Sequence, residues 1–285
     1  MKTGTGSVDA RFRALVSSLE PLYGKGEAKS IAKIVFEDAF HIGNLTDPRP
    51  FPDIHLDRLK AIQERLLRHE PVQYVLGQAD FYGLKFEVNA QVLIPRPETE
   101  ELVHWVLECC KGKDLAGKRL LDVGSGSGCI PILIKKKLPD LEVVSLDISS
   151  GALEVASRNA EKHQTLINWR LADFLEPSSW SDLGLFDYVI SNPPYIDPSE
   201  KGQIPPHVLD FEPHLALFTR SDPMEFYRAL AGFGIKNLHP GGKIFVECNE
   251  FRLEEVSEIF RKNGYSGVKN RLDLAGKPRM LQIFR

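Results

Sequence analysis

The run Leu120-Leu121-Asp122-Val123-Gly124-Ser125-Gly126-Ser127-Gly128-Cys129-Ile130 constrains the fold of this chain more than any other. An apolar strand ends in three glycines spaced two apart, and an apolar, helix-like segment over residues 130–134 follows. Glycine takes up positive φ and lets a backbone approach a ligand closely. A nucleotide-binding βαβ unit places its ligand at a turn of this kind. The spacing is G-x-G-x-G with Cys129 next, not the G-x-G-x-x-G of the dinucleotide fingerprint, which disfavours a dehydrogenase that grips a pyrophosphate.

Further strand ends carry polar residues. Residues 141–147 read as a strand closing on Asp147, 19 residues after Gly128. An acid there accepts both hydroxyls of a ribose, or else caps the helix beginning near Ser149. Residues 169–172 read as a third strand ending at Asp173-Phe174. That carboxylate and ring can meet the amino group and face of an adenine, or serve as a turn residue and a core aromatic. A fourth strand, 186–191, runs into Asn192-Pro193-Pro194-Tyr195, and a fifth, 243–247, follows the turn Pro240-Gly241-Gly242. A helix over 253–263 and two strands near 268–272 and 279–284 close the chain. This alternation predicts an α/β fold with a doubly wound, mostly parallel sheet that binds its ligand at the carboxyl edge.

Asn192-Pro193-Pro194-Tyr195 carries the most chemical information. Each proline fixes φ and lacks an N–H, and a residue before proline is pushed out of the α region. The turn is therefore rigid, and no helix takes up its carbonyls. The Asn192 side-chain oxygen and the Pro193 carbonyl form a fixed pair of acceptors beside the ring of Tyr195, a set suited to holding an –NH2 group by both hydrogens. A strand-ending Pro-Pro turn capped by Asn is the plainer alternative.

Residues 122–128, Asp147, Asp173 and 192–195 together resemble the motifs of a class I S-adenosylmethionine-dependent methyltransferase. The Asn-Pro-Pro-Tyr form is that of members methylating an amino group conjugated to a planar system, either amino-adenine and amino-cytosine in DNA or glutamine in protein. Upstream stand Glu70-Pro71-Val72-Gln73-Tyr74-Val75-Leu76-Gly77, Phe81-Tyr82-Gly83 and Val92-Leu93-Ile94-Pro95-Arg96-Pro97-Glu98-Thr99-Glu100. With them the chain resembles the PrmC/HemK family, which methylates the glutamine of the Gly-Gly-Gln loop of peptide chain release factors. The resemblance runs through Glu212-Pro213 and His239-Pro240-Gly241-Gly242 to the end.

The resemblance implies a seven-stranded methyltransferase sheet, preceded by a small helical bundle and a β-hairpin linker. It implies S-adenosylmethionine as methyl donor, S-adenosylhomocysteine as product, no metal, and release factors as protein substrates, with no direct nucleic-acid partner. At the cofactor it places Gly124, Ser125, Gly126, Ser127, Gly128, Asp147, Asp173, Phe174 and Asn192. For catalysis it points to Asn192, Pro193 and Tyr195, and for substrate binding to these with Pro194. Arg96 and Glu98 read either as contacts to cofactor or substrate or as solvated loop charges, and Glu212 is equally open. Ser125 and Ser127 stand where relatives often carry Thr, Phe174 where some carry Trp, and Glu247-Cys248-Asn249 in place of Glu-x-Gly.

Two other readings compete. An amino-adenine nucleic-acid methyltransferase needs the same motif, but it extrudes its base and usually carries a basic, aromatic target-reading surface. Here residues 1–78 hold 11 Lys/Arg against 10 Asp/Glu, and the whole chain has a net charge of −3 and a pI near 6.3. A catalytically silent adaptor is the other reading, and the complete glycine turn and Asn-Pro-Pro-Tyr motif argue against it.

Cys109, Cys110, Cys129 and Cys248 lack metal-ligand spacing and read as free thiols in a reducing compartment. No run of 18 apolar residues is present to span a membrane. Residues 1–6 lead into no apolar stretch, so no secretory signal is expected and the chain reads as cytoplasmic. Phe12, Leu15, Val16, Leu19 and Leu22 form one helical stripe. Ile31, Ile34 and Val35 begin a second, and Leu56, Leu59, Ile62 and Leu66 form a third. The stripes predict a small helical bundle over 1–78, which the resemblance assigns to recognition of the release factor, followed by a linker over 79–97 with its hairpin within 81–94 and the methyltransferase domain over 98–285.

Overall fold

The structure, a computed structural model, describes residues 6–285, so the reading of residues 1–5 lies outside it. Two compact units emerge, one of residues up to 78 with 205–211, the other of residues 79–204 and 212–285.

In the first unit Ser7 caps the helix Val8–Ile34 by accepting the Ala10 N–H at 3.2 Å. Phe12, Leu15 and Leu19 are buried on the expected stripe. The second stripe begins in the same element, which is broken at Gly24, where φ +75° and ψ 161° leave the helical region, and it runs on into Val35–Ala39. Helix Leu56–Leu66 buries Leu59, Ile62 and Leu66, and Phe36 packs edge-on against Phe12 and Phe40. Arg65 ties this helix to the next, Val72–Leu76, by pairing with Glu70 and donating to the Val75 carbonyl at 2.9 Å.

Strands β1 (Gln78–Phe81) and β2 (Leu84–Glu87) form a small hairpin that begins at Gln78 of the first unit and otherwise belongs to the second. It lies earlier than expected because Tyr82 and Gly83 both take positive φ, the geometry of a two-residue hairpin turn, while Asn89-Ala90 fall in the loop beyond. Seven strands follow in one sheet: β3 (Arg119–Val123), β4 (Glu142–Asp147), β5 (Asn168–Leu171), β6 (Phe186–Ser191), β7 (Leu238–Glu247), β8 (Gly267–Leu272) and β9 (Pro278–Phe284). Their order is β5-β4-β3-β6-β7-β9-β8, parallel from β5 to β7, with β9 antiparallel to both neighbours. Leu120, Val143 and Ile190 enter one core, and Leu121, Val144 and Val189 the other. A sheet buried on both faces accounts for the near-continuous apolar character of its strands.

The strand order reverses between β3 and β6, and ligands of open α/β sheets bind where it does. Register sharpens the point. Val123 pairs with Ser191, and Ser191 with Val246. The next residues, Gly124, Asn192 and Glu247, therefore leave three adjacent strands at the same level.

Candidate active site

At that switch point the glycine turn has its expected conformation, with φ of +87° at Gly124, +52° at Gly126 and +79° at Gly128. The Gly124 and Ser125 N–H groups donate to the Leu146 carbonyl at 2.9 and 3.0 Å, fastening the turn to the end of β4. Asp147 continues that join. Its carboxylate accepts the Gly126 N–H and the Ser149 N–H, each at 2.9 Å. The following helix, Ser150–Lys162, is capped by Ser149 and not by Asp147. Burial raises the Asp147 pKa, and the backbone donors oppose it. The carboxylate keeps acceptor capacity for a further donor.

Beneath the turn Asp122 is fully buried. Ser145 donates to its Oδ2 at 2.6 Å and lies 2.6 Å from the Ser125 hydroxyl, while Oδ1 has no partner. Burial pushes its pKa up to about 8.

A cavity of about 340 Å³ opens above these strand ends. Gly124, Ser125, Gly126, Ser127 and Asp147 line it, with Asp173, Phe174, Asn192 and Pro194. Gly128, Pro193 and Tyr195 are not on its surface. Gly128 faces Ala156 instead, and Tyr195 packs, half-buried, against the hydrophobic core with its phenol pKa raised by burial. Asp173 spends one oxygen on the Leu175 N–H at 3.0 Å and pairs the other with Arg220. Phe174 lines the cavity but is only 3% exposed, packed against Trp180 and Phe233 at centroid distances of 5.5 and 5.4 Å. Arg96 is on the wall and Glu98 is not, while Glu212 is buried behind Arg96.

Residues 104–205 match the methyltransferase small domain family. The chain is 36% identical over 275 residues to the release factor glutamine methyltransferase of Flavobacterium psychrophilum, covering 94% of this chain and 95% of that one. It is 37% identical to the protein of the same description from Bacteroides thetaiotaomicron, over 94% of this chain and 96% of that one. The chain belongs to the release factor glutamine methyltransferase family. It is an enzyme, and its catalytic unit is a methyltransferase. A crystal structure of a methyltransferase from Pyrococcus furiosus shares the fold, with a TM-score of 0.51 at 20% identity over 78% of this chain and 96% of that one.

A methyltransferase domain implies S-adenosylmethionine, and the residues present fit that group. The cavity joins a glycine turn to a carboxylate with spare acceptor capacity, and Ile148, Ala172, Leu215 and Phe218 supply apolar wall for a nucleoside. No helix among the described residues is long and apolar enough to cross a membrane.

Two residues of this family member escaped the sequence reading. The Asn192 side-chain N–H donates to Thr99 Oγ1 at 2.9 Å, and the Thr99 hydroxyl donates to Glu247 Oε2 at 2.8 Å. Thr99 lies inside the Pro-Arg-Pro-Glu-Thr-Glu block and Glu247 at the departure from Glu-x-Gly, so both stand in segments the sequence singles out. Only the fold brings them to Asn192, Glu247 through the register of β7 on β6 and Thr99 through the helix Pro97–Cys110.

Proposed function

We propose that this chain methylates the side-chain amide nitrogen of the glutamine in the Gly-Gly-Gln loop of peptide chain release factors. The observation that carries this reading is that Asn192 and Pro194 line the same cavity as Gly124, Gly126 and Asp147, so an amide-holding turn and a nucleoside-holding turn share one space. S-adenosylmethionine, when bound, supplies a methyl on a sulfonium, a good leaving group, and becomes S-adenosylhomocysteine. Asp147 is assigned to the ribose hydroxyls, the turn over 124–127 to the backbone of the donor, and Asp173 and Phe174 to the base.

The difficulty of the reaction lies with the nucleophile, because an amide nitrogen shares its lone pair with its carbonyl. The Asn192 side-chain oxygen, on the cavity wall, accepts one of its hydrogens, and the resemblance assigns the other to the carbonyl of Pro193, a residue set back from the cavity surface. The pair orients the nitrogen and stabilises the positive charge that grows on it. Preorganised dipoles of this kind contribute about 3 kcal/mol each, and alignment adds to that. Tyr195 holds the turn from behind through its packing on the core. An N-alkylated, N-protonated amide is strongly acidic and sheds its proton without a dedicated base, so the reading asks for neither a metal nor a histidine.

The division of the chain into a recognition domain over 1–78, a linker over 79–97 and a catalytic domain over 98–285 belongs to the same proposal, as does a cytoplasmic site of action. Mass spectrometry of a purified release factor, incubated with the enzyme and S-adenosylmethionine, tests it. One methyl on the Gly-Gly-Gln glutamine is expected. An unmodified factor overturns the reading and makes nucleic acids the next substrates to offer.

A further inference from the structure

An asparagine amide can hold a substrate N–H only if its oxygen, and not its –NH2, faces the substrate. Rotating the side-chain amide by half a turn exchanges the two groups at almost no steric cost, so something must choose between them. In this protein the choice has a visible origin. Thr99, third residue of the helix Pro97–Cys110, is 3% exposed, and Glu247, last residue of β7, is 1% exposed. A hydroxyl has one hydrogen to give. When the Glu247 carboxylate takes it, the Thr99 oxygen is left only as an acceptor, and Asn192 must offer it an N–H. The Asn192 oxygen is then available to the cavity that Asn192 lines.

We infer that Thr99 and Glu247 are positioning residues that set the amide of Asn192, with ionised Glu247 fixing the direction of every hydrogen bond in the chain. The inference rests on the proposed amide methylation for its catalytic consequence, but the hydrogen-bond polarity rests only on the buried Thr99–Glu247 and Asn192–Thr99 contacts with Glu247 ionised.

Reversal follows from protonation. A neutral Glu247 donates to Thr99, the Thr99 hydroxyl rotates to donate a hydrogen bond to the Asn192 oxygen, and the –NH2 turns toward the cavity. Two N–H groups then confront the N–H bonds of the incoming amide. Several groups act on Glu247. Glu98, on the helix carrying Thr99, disfavours its charge, while Arg279 on β9 and Arg96 before that helix favour it. Tyr195, Tyr227 and Cys248 stand close enough to feel it, and the Tyr227 hydroxyl donates to the Glu247 backbone carbonyl at 3.2 Å. Arg279 also pairs with Glu250 and Asp273, and Arg96 with Glu212. Burial is the largest influence and pushes the Glu247 pKa up to about 7, so both polarities lie within reach of ordinary conditions.

The test has two arms. In the first, protein labelled with ¹⁵N-asparagine is titrated by NMR, and the Asn192 side-chain –NH2 signal is identified by its loss in Asn192→Ala. The signal is expected to shift with pH around neutrality, and to stay fixed in Thr99→Val and in Glu247→Gln. A signal that does not titrate in the wild type, or that titrates unchanged in both variants, overturns the inference. This arm needs no release factor, so it decides the polarity even if the proposed methylation fails in the wild type.

The second arm measures release-factor methylation against pH. Thr99→Val is expected to lower kcat by ~10- to 100-fold, with KM and cofactor affinity changed by less than ~3-fold. Thr99→Ser, which restores the hydroxyl, is expected to recover most of the loss. The wild-type kcat falls as pH drops through the Glu247 titration, and Glu247→Gln, which cannot lose or gain that proton, flattens the acid limb. A Thr99→Val enzyme with wild-type kcat, or an acid limb that survives in Glu247→Gln, sinks the catalytic consequence.

Discussion

Arg96 and Glu212, 116 residues apart in sequence, meet at 2.5 Å, so that a buried carboxylate braces the cavity wall from behind. Glu212 also accepts the Ile94 N–H at 3.2 Å on its other oxygen, so one buried carboxylate holds both the backbone and the side chain of the Pro95-Arg96 loop. Glu212→Ala removes both bonds and leaves a buried N–H without a partner, a loss of about 1–3 kcal/mol. We expect a lower midpoint in denaturant titration and weaker S-adenosylmethionine binding by calorimetry. Unchanged affinity in a destabilised variant would mean the pair serves the fold and not the cavity.

Asn192 is expected to act in the chemical step and not in holding the donor. Asn192→Ala should lower kcat by roughly 10²–10³, the loss seen when one preorganised partner of a developing charge is deleted. Cofactor affinity should hold, since the glycine turn and Asp147 are untouched. Single-turnover methylation measured beside calorimetric binding separates the two effects, and a variant that keeps its rate removes Asn192 from the mechanism.

Gly128 and Gly126 offer a controlled comparison within one turn. A Cβ on Gly128 would stand 3.0 Å from both Ala156 Cβ and Ile132 Cδ1 and 3.2 Å from Ala156 Cα, and the Ala156 atoms belong to the helix Ser150–Lys162 and cannot swing aside. A Cβ on Gly126 would meet nothing within 4 Å. Both substitutions incur the left-handed strain of about 1–2 kcal/mol, and Gly128→Ala adds overpacking of about 1–3 kcal/mol. Denaturant unfolding should therefore rank Gly128→Ala well below Gly126→Ala. Equal losses would show that the third glycine is kept for its dihedral angles and not for the helix beside it.

The parts of the site legible in sequence were those written in local chemistry. The glycine turn and the Asn-Pro-Pro-Tyr turn announce themselves because φ > 0 and proline leave few alternatives, and alternating strands and helices place both turns on one sheet edge. Partnerships across the fold were not legible. Thr99 and Glu247 are 148 residues apart, and only the register of β6 on β7 brings Glu247 level with Asn192. Phe174 shows the same limit. An aromatic after a strand-end acid reads equally as a wall for a base or as core, and the packing of Trp180 and Phe233 around it is a fact of the tertiary structure. Gly83 and Asn89-Ala90 are both turn signals in the sequence, and the hairpin closes at the first because Tyr82 joins Gly83 at positive φ, which is rare enough for Tyr that the sequence does not choose between them.

Asp122 gives the fold a dependence on pH that runs opposite to that of a salt-bridged carboxylate, whose pKa is depressed. Its pKa is held near 8 by burial, above the ordinary value of 3.8, so the folded state carries a proton that the unfolded chain has lost between those limits. Stability from this group is full below the unfolded pKa and declines as pH rises toward 8, by at most about 1.4 kcal/mol per pH unit. Glu247 adds a narrower decline of the same sign, from 4.5 to about 7. Asp122→Asn keeps an oxygen for the Ser145 hydroxyl and removes the ionisation. Its melting temperature, followed from pH 5 to about pH 8.5, should fall less with pH than that of the wild type, and the two curves should converge at the acid end. Parallel curves would show that Asp122 stays ionised in the fold, with Ser145 supplying more stabilisation than a single hydroxyl is expected to give.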